Sequence, residues 1–448
     1  MAADELLDLG RRVVESLVGG EQIEAYVARG SSTSVKVHGG EVESLTQAES
    51  SGIGVRVVRD HRQGFAWAGS LDDAVLVETL AEARDNAVYA EPDEWVGVAE
   101  PDDVPPPDLD LWRDGLATLA TDRKVALALE LEAAVRAADP RISGVRTAQW
   151  GDGIGEGAVV TSTGIEVGGR STGCHLSVSA LATADGETKT GYGVSVGRAP
   201  DDVDVGEAAD EAVERATRLL GAVQPASAVV TLALEPRMTA ALLGIVGGML
   251  SAESVLKGRS PFADRVGETI ASALVTLVDD PTDVLSLGAD RHDGEGLSTR
   301  PVGMIDAGVL EGFLHNTYTA RRCGTSSTAS AVRGYRSTPT VGAQALALAP
   351  GAGTLEELVA QVDHGVLVQA MSGLHSGVNP TSGDFSVGIE GLMIREGSLA
   401  EPLREATVAS TMQKLLLDVR AIGGEREWTP GGTGASPVMI DGVTLSGS

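Results

Sequence analysis

A serine sits inside Gly193-Val194-Ser195-Val196-Gly197, which fits the G-x-S-x-G pattern that places a nucleophile on a sharp strand-to-helix turn beside an oxyanion hole. Its flanks argue for a different role. Leu176, Val178 and Ala180 precede it, and Tyr192, Val194 and Val196 alternate through it, so Ser195 reads as part of a half-buried strand. Ser254-x-x-Lys257 and Lys189-Thr190-Gly191 resemble fragments of penicillin-recognising enzymes, where a lysine helps deprotonate a serine. Their order is reversed here and no Ser-Asp-Asn lies between them, so we read them as coincidence. Gly151, Gly153, Gly155 and Gly157 miss the G-x-G-x-x-G spacing of a dinucleotide loop and lack its strand-then-helix context; a flexible hairpin is expected. No lysine follows a glycine, which excludes a G-x-x-x-x-G-K phosphate loop.

Metal chemistry finds little purchase. The seven histidines (His38, His61, His175, His292, His315, His364 and His375) include no pair three or four residues apart and none followed by Glu. Cys174 and Cys323 form neither a disulfide framework nor a Cys-x-x-Cys zinc clip. The densest pattern runs from Ser372 to Glu405. Glycines 373, 377, 383, 388, 391 and 397 punctuate it, Pro380 fixes a φ angle, and Phe385, Val387 and Ile389 alternate, so tight turns joining short strands are expected. His375 lies inside this stretch, where an imidazole would hydrogen-bond turn carbonyls.

These residues need a scaffold, and 448 residues suggest two domains, 1–222 and 226–448. In the first, the sequence predicts a helix, then a meander over Val35–His38, Glu41–Leu45, Gly52–Val58 and Gln63–Trp67, with Gly39-Gly40 as a hairpin turn. A helix from Ser70 buries Val75, Leu76, Leu80, Ala83 and Ala87 on one face. Residues 91–110 hold prolines 92, 101, 105, 106 and 107 among acidic residues and read as an exposed, mobile connector. Helices over Thr121–Ala138 and Asp204–Leu220 bracket a β-rich stretch from Arg141 to Arg198, an α+β arrangement. The second half reads as short strands and turns, with helices over Thr354–Gln361 and Arg404–Ile422. The acidic excess, 64 Asp and Glu against 34 Lys and Arg, repels nucleic acid and anionic membranes. Asp4, Glu5 and Asp8 interrupt any signal peptide, and no uncharged run reaches the ~18 residues of a membrane span. A reduced, cytoplasmic setting fits.

Several segments together resemble the TldD/PmbA family: Ser50-Ser51-Gly52-Ile53-Gly54-Val55-Arg56-Val57, Gly64-Phe65-Ala66, the run from Ala320-Arg321 through Gly324, His375-Ser376-Gly377-Val378-Asn379-Pro380, Ser382 through Gly388, and Gly434-Ala435-Ser436-Pro437. The resemblance spans most of the chain. It implies an N-terminal α+β domain followed by a C-terminal domain of twisted antiparallel β-sheets, and proteases that work as paired subunits of which one carries zinc. In zinc-bearing members an H-E-x-x-x-H helix precedes a stretch that here resembles Gly258 to Phe262. The matching positions fall at Leu243, Gly244 and Gly248, and no cysteine after Cys323 supplies the third ligand. The resemblance therefore implies a PmbA-type (TldE-type) subunit with no metal or catalytic residue of its own. Zinc is expected in a TldD-type paralogue with which it forms a heterodimer acting on unfolded or short peptides, with His375, Ser376, Asn379 and Asp384 as candidates to line the shared cleft. A binding or assembly protein that keeps only the fold, and a homodimeric amide hydrolase, remain as alternatives.

Overall fold

The computed structural model describes residues 2–447. Its first half is organised by one six-stranded antiparallel sheet. Strands β1 (Glu21–His38) and β2 (Glu41–Arg59) are joined by Gly39-Gly40, whose φ angles of 68° and 82° suit a two-residue turn. With β3 (Arg62–Ala68), β4 (Ile142–Thr161), β5 (Glu166–Ala184) and β6 (Glu187–Gly197) the order is β3-β2-β1-β4-β5-β6. The expected short meander is thus part of far longer strands. Polar Ser31–Ser34 and Thr46–Ser50 carry no apolar alternation, yet they pair residue for residue and extend β1 and β2. The glycine run is no hairpin either: it lies mid-strand in β4, paired to β1 on one side and β5 on the other.

One face of this sheet is apolar and covered by helices. Helices α1 (Ala2–Glu15) and α2 (Asp73–Tyr89) pack on β1–β3 through Leu6, Leu9, Leu76, Leu80 and Ala83. Helices α3 (Thr121–Ala138) and α4 (Val205–Thr217) pack Leu131, Val135, Ala208 and Ala212 around Trp150 and Leu176. Helix α2 starts at Asp73 rather than Ser70, whose hydroxyl donates to Asp72 instead (2.9 Å). At α4 the Asp204 side chain accepts the Glu207 N–H (3.0 Å), a regular N-cap, and Gly221 follows at φ 79°.

Residues 91–110 form no helix or strand, but they are not an exposed tether. Val98 and Ala99 are fully buried. The Tyr318 hydroxyl donates to Asp93 (2.9 Å), Arg321 to the Val98 carbonyl (2.9 Å), Arg300 to Asp102 (2.8 Å) and Arg291 to the Pro107 carbonyl (3.1 Å). Proline and acidic residues do preclude regular structure; four side chains from the second half then dock the irregular chain.

The second half holds a closed barrel and a smaller sheet. Strands β7 (Ala228–Leu234), β8 (His364–Ser372), β9 (Asp384–Arg395), β10 (Ser398–Thr411) and β12 (Val438–Ser446) form a ring, because β10 pairs with β12 as well as β9; β11 (Val419–Ile422) adds to β12. Phe385, Val387 and Ile389 of β9 point into the core as their alternation predicts. The helix expected over Arg404–Ile422 shrinks to Met412–Leu417. Residues before Met412 belong to β10, where β-branched Thr407, Val408 and Thr411 favour the pleat. Thr354 caps Leu355–Val359 through a capping box with Glu357, as its sequence dictates. Helix α5 (Pro236–Met249), opened by a proline at its first turn, buries Met238, Leu242, Leu243, Val246 and Met249 against the barrel and the smaller sheet. Among the described residues no helix is long and apolar enough to cross a membrane.

Candidate functional site

The helix-free face of the first sheet has almost no side chains. Register sets Ala48-Ser32-Gly153-Gly173, Ser50-Gly30-Gly155-Ser171 and Gly52-Ala28-Gly157-Gly169 as three rows across β2, β1, β4 and β5. Every position is Gly, Ala or Ser, so other chain segments can approach the backbone closely. Residues of the second half do so at the margins: a Cβ on Gly52 or Gly54 would overlap Tyr335, and one on Gly173 would come within 3.3 Å of Leu287. Between them remains a slot of about 320 Å³, walled by Tyr26, Arg29, Arg170, Asp290, His292 and Tyr335.

The slot's titratable groups are shifted. Burial, and then the charge of Arg291, pushes the His292 imidazole down to about 4, so at physiological pH it is neutral, with one ring nitrogen to donate and one to accept. Asp290 is open to the slot yet deep within it, and loss of hydration raises its pKa above the usual carboxylate range. Behind it, burial and the neighbouring Glu295 raise Asp293, although its carboxylate accepts N–H bonds from Glu295, Leu297 and Ala331. A buried ion network underlies this wall. Glu24 accepts two bonds from Arg56 (3.1 and 2.7 Å) and one from Arg333, and Arg56 also reaches Glu295 (3.5 Å). Burial would raise Glu24, but Arg56 and Arg333 hold it below its ordinary value. These partners come from both halves of the chain. The slot thus offers hydrogen-bond acceptors and two tyrosines, a set that can hold a polar chain, with no serine or cysteine paired to an imidazole; the guanidinium groups of Arg29, bonded to Glu5 and Glu156, and of Arg170, stacked on Trp112, belong to the other face of the sheet.

A second cleft of about 510 Å³ lies between β6, α4 and residues 427–430. Glu427 there is pushed up to about 7, first by burial and then by Glu211 and other carboxylates. Arg237 stacks 4.0 Å above the Tyr192 ring. Ser195 also lines it, but its hydroxyl donates to Glu207 (3.2 Å) and accepts the Asp204 N–H (3.0 Å), tying β6 to α4 with no imidazole near. Lys257 pairs with Glu253 rather than Ser254.

The signature residues share one exposed turn between β8 and β9 and line neither cleft. His375 sits on the short helix Leu374–Gly377 and its ring makes no hydrogen bond, so the expected contact with turn carbonyls is not formed. The Ser376 hydroxyl donates to Gly373 (3.3 Å). Asn379 accepts the N–H of Thr381 (2.9 Å) and Ser382 (3.3 Å), and Asp384 accepts the Ser382 hydroxyl (2.6 Å). These bonds build the turn itself. On α5, Leu243 is buried while Gly244 and Gly248 face outward, where an added Cβ would meet nothing within 4 Å. Zinc does not fit these three positions, which present only carbon and hydrogen side chains. Among the described residues no group of three His, Cys, Asp or Glu could hold a metal ion. Sequence reasoning missed Tyr26, Asp290, His292 and Tyr335. The signal that pointed to them was the every-second glycine in β4, matched by small residues at Gly30, Ser32, Gly169 and Gly173.

Comparison with known proteins agrees with this architecture. Residues 23–87, 114–220 and 227–447 match the models for PmbA/TldA metallopeptidase domain 1, the central domain and the C-terminal domain. Metalloprotease PmbA of Escherichia coli O157:H7 is 27% identical over 413 residues, covering 90% of this chain and 88% of that one. A metalloprotease PmbA homolog of Haemophilus influenzae is 24% identical, over 96% and 93% of the two chains. The crystal structure of TldE from Thermococcus kodakarensis superposes with a TM-score of 0.90 at 24% identity, covering 100% of both chains, and shares the fold.

Proposed function

Because the chain belongs to the PmbA/TldA metallopeptidase family, we propose that it is the metal-free subunit of a two-subunit protease whose zinc is held by a TldD-type paralogue. The observation that carries this reading is α5: at the positions that resemble the zinc motif stand Leu243, Gly244 and Gly248, with the glycines outward and bare. A complete scaffold with both interdomain clefts accompanies that helix. The subunit's part is to bind and orient polypeptide and to complete the paralogue's cleft, and its substrates are unfolded or short peptides in the cytoplasm. Lewis-acid activation of water belongs to the paralogue.

The reading is tested by following cleavage of an unfolded peptide by the zinc subunit alone, by this chain alone, and by both. Activity is expected only in the mixture, with this chain retaining no stoichiometric zinc after dialysis. His375→Ala and Asn379→Ala, run alongside, ask whether the signature turn touches substrate or partner. A zinc subunit equally active alone sinks the pairing. Clefts without an activated nucleophile favour one second reading, a binding or assembly protein, and peptide binding without cleavage in any mixture would support it.

A further inference from the structure

The edge of the first sheet is open along half of β2. Strand β3 covers only Ile53–Arg59, and in Ser44–Ser50 every residue is exposed, with no backbone partner beyond β1 among the described residues. Seven residues of regular strand offer roughly 24 Å of outward N–H and C=O groups. Natural edges are usually blunted by lysine, proline or extreme shortness. None of these protects Ser44–Ser50; one bulge lies at its hairpin end, beside Val37.

Side chains along this edge are selective. Leu45 is 42% exposed although its cross-strand partner Val35 is fully buried, so the apolar layer under α3 reaches the rim at that point. Glu43 and Glu49 flank it, exposed and without an ion pair. Around them, Lys36 is exposed across from Ser44, Arg123 on α3 is engaged by Glu130 and Lys124 is buried with Asp152; of the two arginines that share a cavity with Glu49, Arg29 is engaged by Glu5 and Glu156, and Arg336 lies over the Trp67 and Tyr335 rings. The opposite face is Ser44, Thr46, Ala48 and Ser50, of which Ser50 lines the slot.

We propose that this edge of β2 is a docking site for an extended, cationic segment of another polypeptide, which adds as a strand beside Ser44–Ser50 with basic side chains near Glu43 and Glu49 and an apolar one near Leu45. A second copy of this chain suits the edge poorly. Antiparallel self-pairing that overlaps all of Ser44–Ser50 sets Glu49 against Leu45, a register shifted by one pair toward the hairpin opposes Glu43 to Glu49, and each copy carries a formal charge of −30. Small, hydroxylated side chains fix register weakly, so the site accepts varied sequences. The proposal is independent of zinc pairing.

Fluorescence anisotropy with a synthetic decapeptide alternating Thr with Arg and Val tests it, against the same peptide with Glu for Arg. Saturable binding of the Arg peptide is expected, with slowed amide exchange at residues 44–50. Glu43→Lys with Glu49→Lys removes two exposed, unpaired carboxylates and should keep the far-ultraviolet spectrum and melting temperature of the wild type; it should weaken the Arg peptide by about tenfold or more and favour the Glu peptide. Two N-methylated peptides, blocked on opposite backbone edges, separate strand pairing from charge attraction: one should bind and the other fail. Equal binding of both, no saturable binding, or unchanged exchange at 44–50 overturns the proposal. So does a native mass in solution that falls on the double substitution, since that places a second copy on the edge.

Discussion

Replacing Glu24 by Gln should destabilise the chain severely, and adding Arg333→Met should restore part of the loss. Glu24 is fully buried and is the shared acceptor of two buried guanidinium groups, Arg56 and Arg333. Without its charge, both cations face each other with only Glu295 to offset them, 3.5 Å from Arg56. Breaking a buried pair in this way costs about 3–5 kcal/mol. Arg333 contributes less by itself, because its Nε and one Nη have no partner and its guanidinium lies 5.0 Å from the Tyr26 ring, a contact that methionine can keep. Arg333→Met alone should cost about 1–2 kcal/mol, since Glu24 retains both Arg56 bonds. In the double variant the remaining Arg56 and Glu295 balance, so it should be more stable than Glu24→Gln by about 2 kcal/mol; with the cost of Arg333→Met alone, that is a coupling of about 3–4 kcal/mol, at or just above the upper end of what contacting residues show. Guanidinium titration of the four proteins gives the cycle. A double variant less stable than Glu24→Gln alone would refute the account of the network.

Burial pushes Asp279 up to about 6, against N–H bonds from Ala345 and Gln344. The folded chain holds this proton to higher pH than the unfolded chain, where a carboxyl titrates near ~4, so the stabilisation is present below about 4 and lost as pH rises to 6. That difference is worth about 3 kcal/mol, and Asp279→Asn should flatten that fall in urea midpoints; an unchanged pH profile contradicts the assignment. Gly244→Ala and Gly248→Ala, on an outward helix face with open space, should each raise stability of the isolated chain by about 0.5–1 kcal/mol, and a loss in thermal unfolding would mean the face is covered. A side chain at Gly97 would overlap Arg321, so Gly97→Val should release residues 91–110 to limited proteolysis, whereas the native segment resists; equal resistance of both counts against the docked connector. His375→Ala should change stability by less than about 0.5 kcal/mol and Asn379→Ala lower it by about 1 kcal/mol, because only Asn379 holds the turn.

Elements governed by local rules were legible in the sequence. Thr121–Ala138, the Asp204 cap, the Gly39-Gly40 turn and the Thr354 capping box depend on residues within a turn of one another. Elements governed by distant partners were not. Ser31–Ser34 extends as a strand because Gln47 and its neighbours lie opposite, and residues 404–411 form β10 because β9 and β12 flank them. The site shows the same division. The glycines of β4 were visible as a pattern, but their purpose emerges only when Asp290, His292 and Tyr335 arrive from more than a hundred residues away. Residues 91–110 misled for that reason as well, since the arginines and tyrosine that dock them lie between 291 and 321.

The barrel's strand order constrains how this protein can be made. Its first strand, β7, lies between β8 and β12, so residues 228–234 find one neighbour only when the chain has reached Val438. The first sheet needs nothing beyond Gly197 and can assemble while the remainder is still being synthesised. The ring, by contrast, closes only once Val438–Ser446 has been made, with the long loop-closure delay that such separated pairings carry. Until then the apolar edge of β7, reading Val-Val-Thr-Leu-Ala-Leu, waits unpaired. Loss of the last strand from a nonsense codon or a nick before Val438 therefore removes the closure of the whole domain at once, leaving two open edges that invite aggregation and degradation.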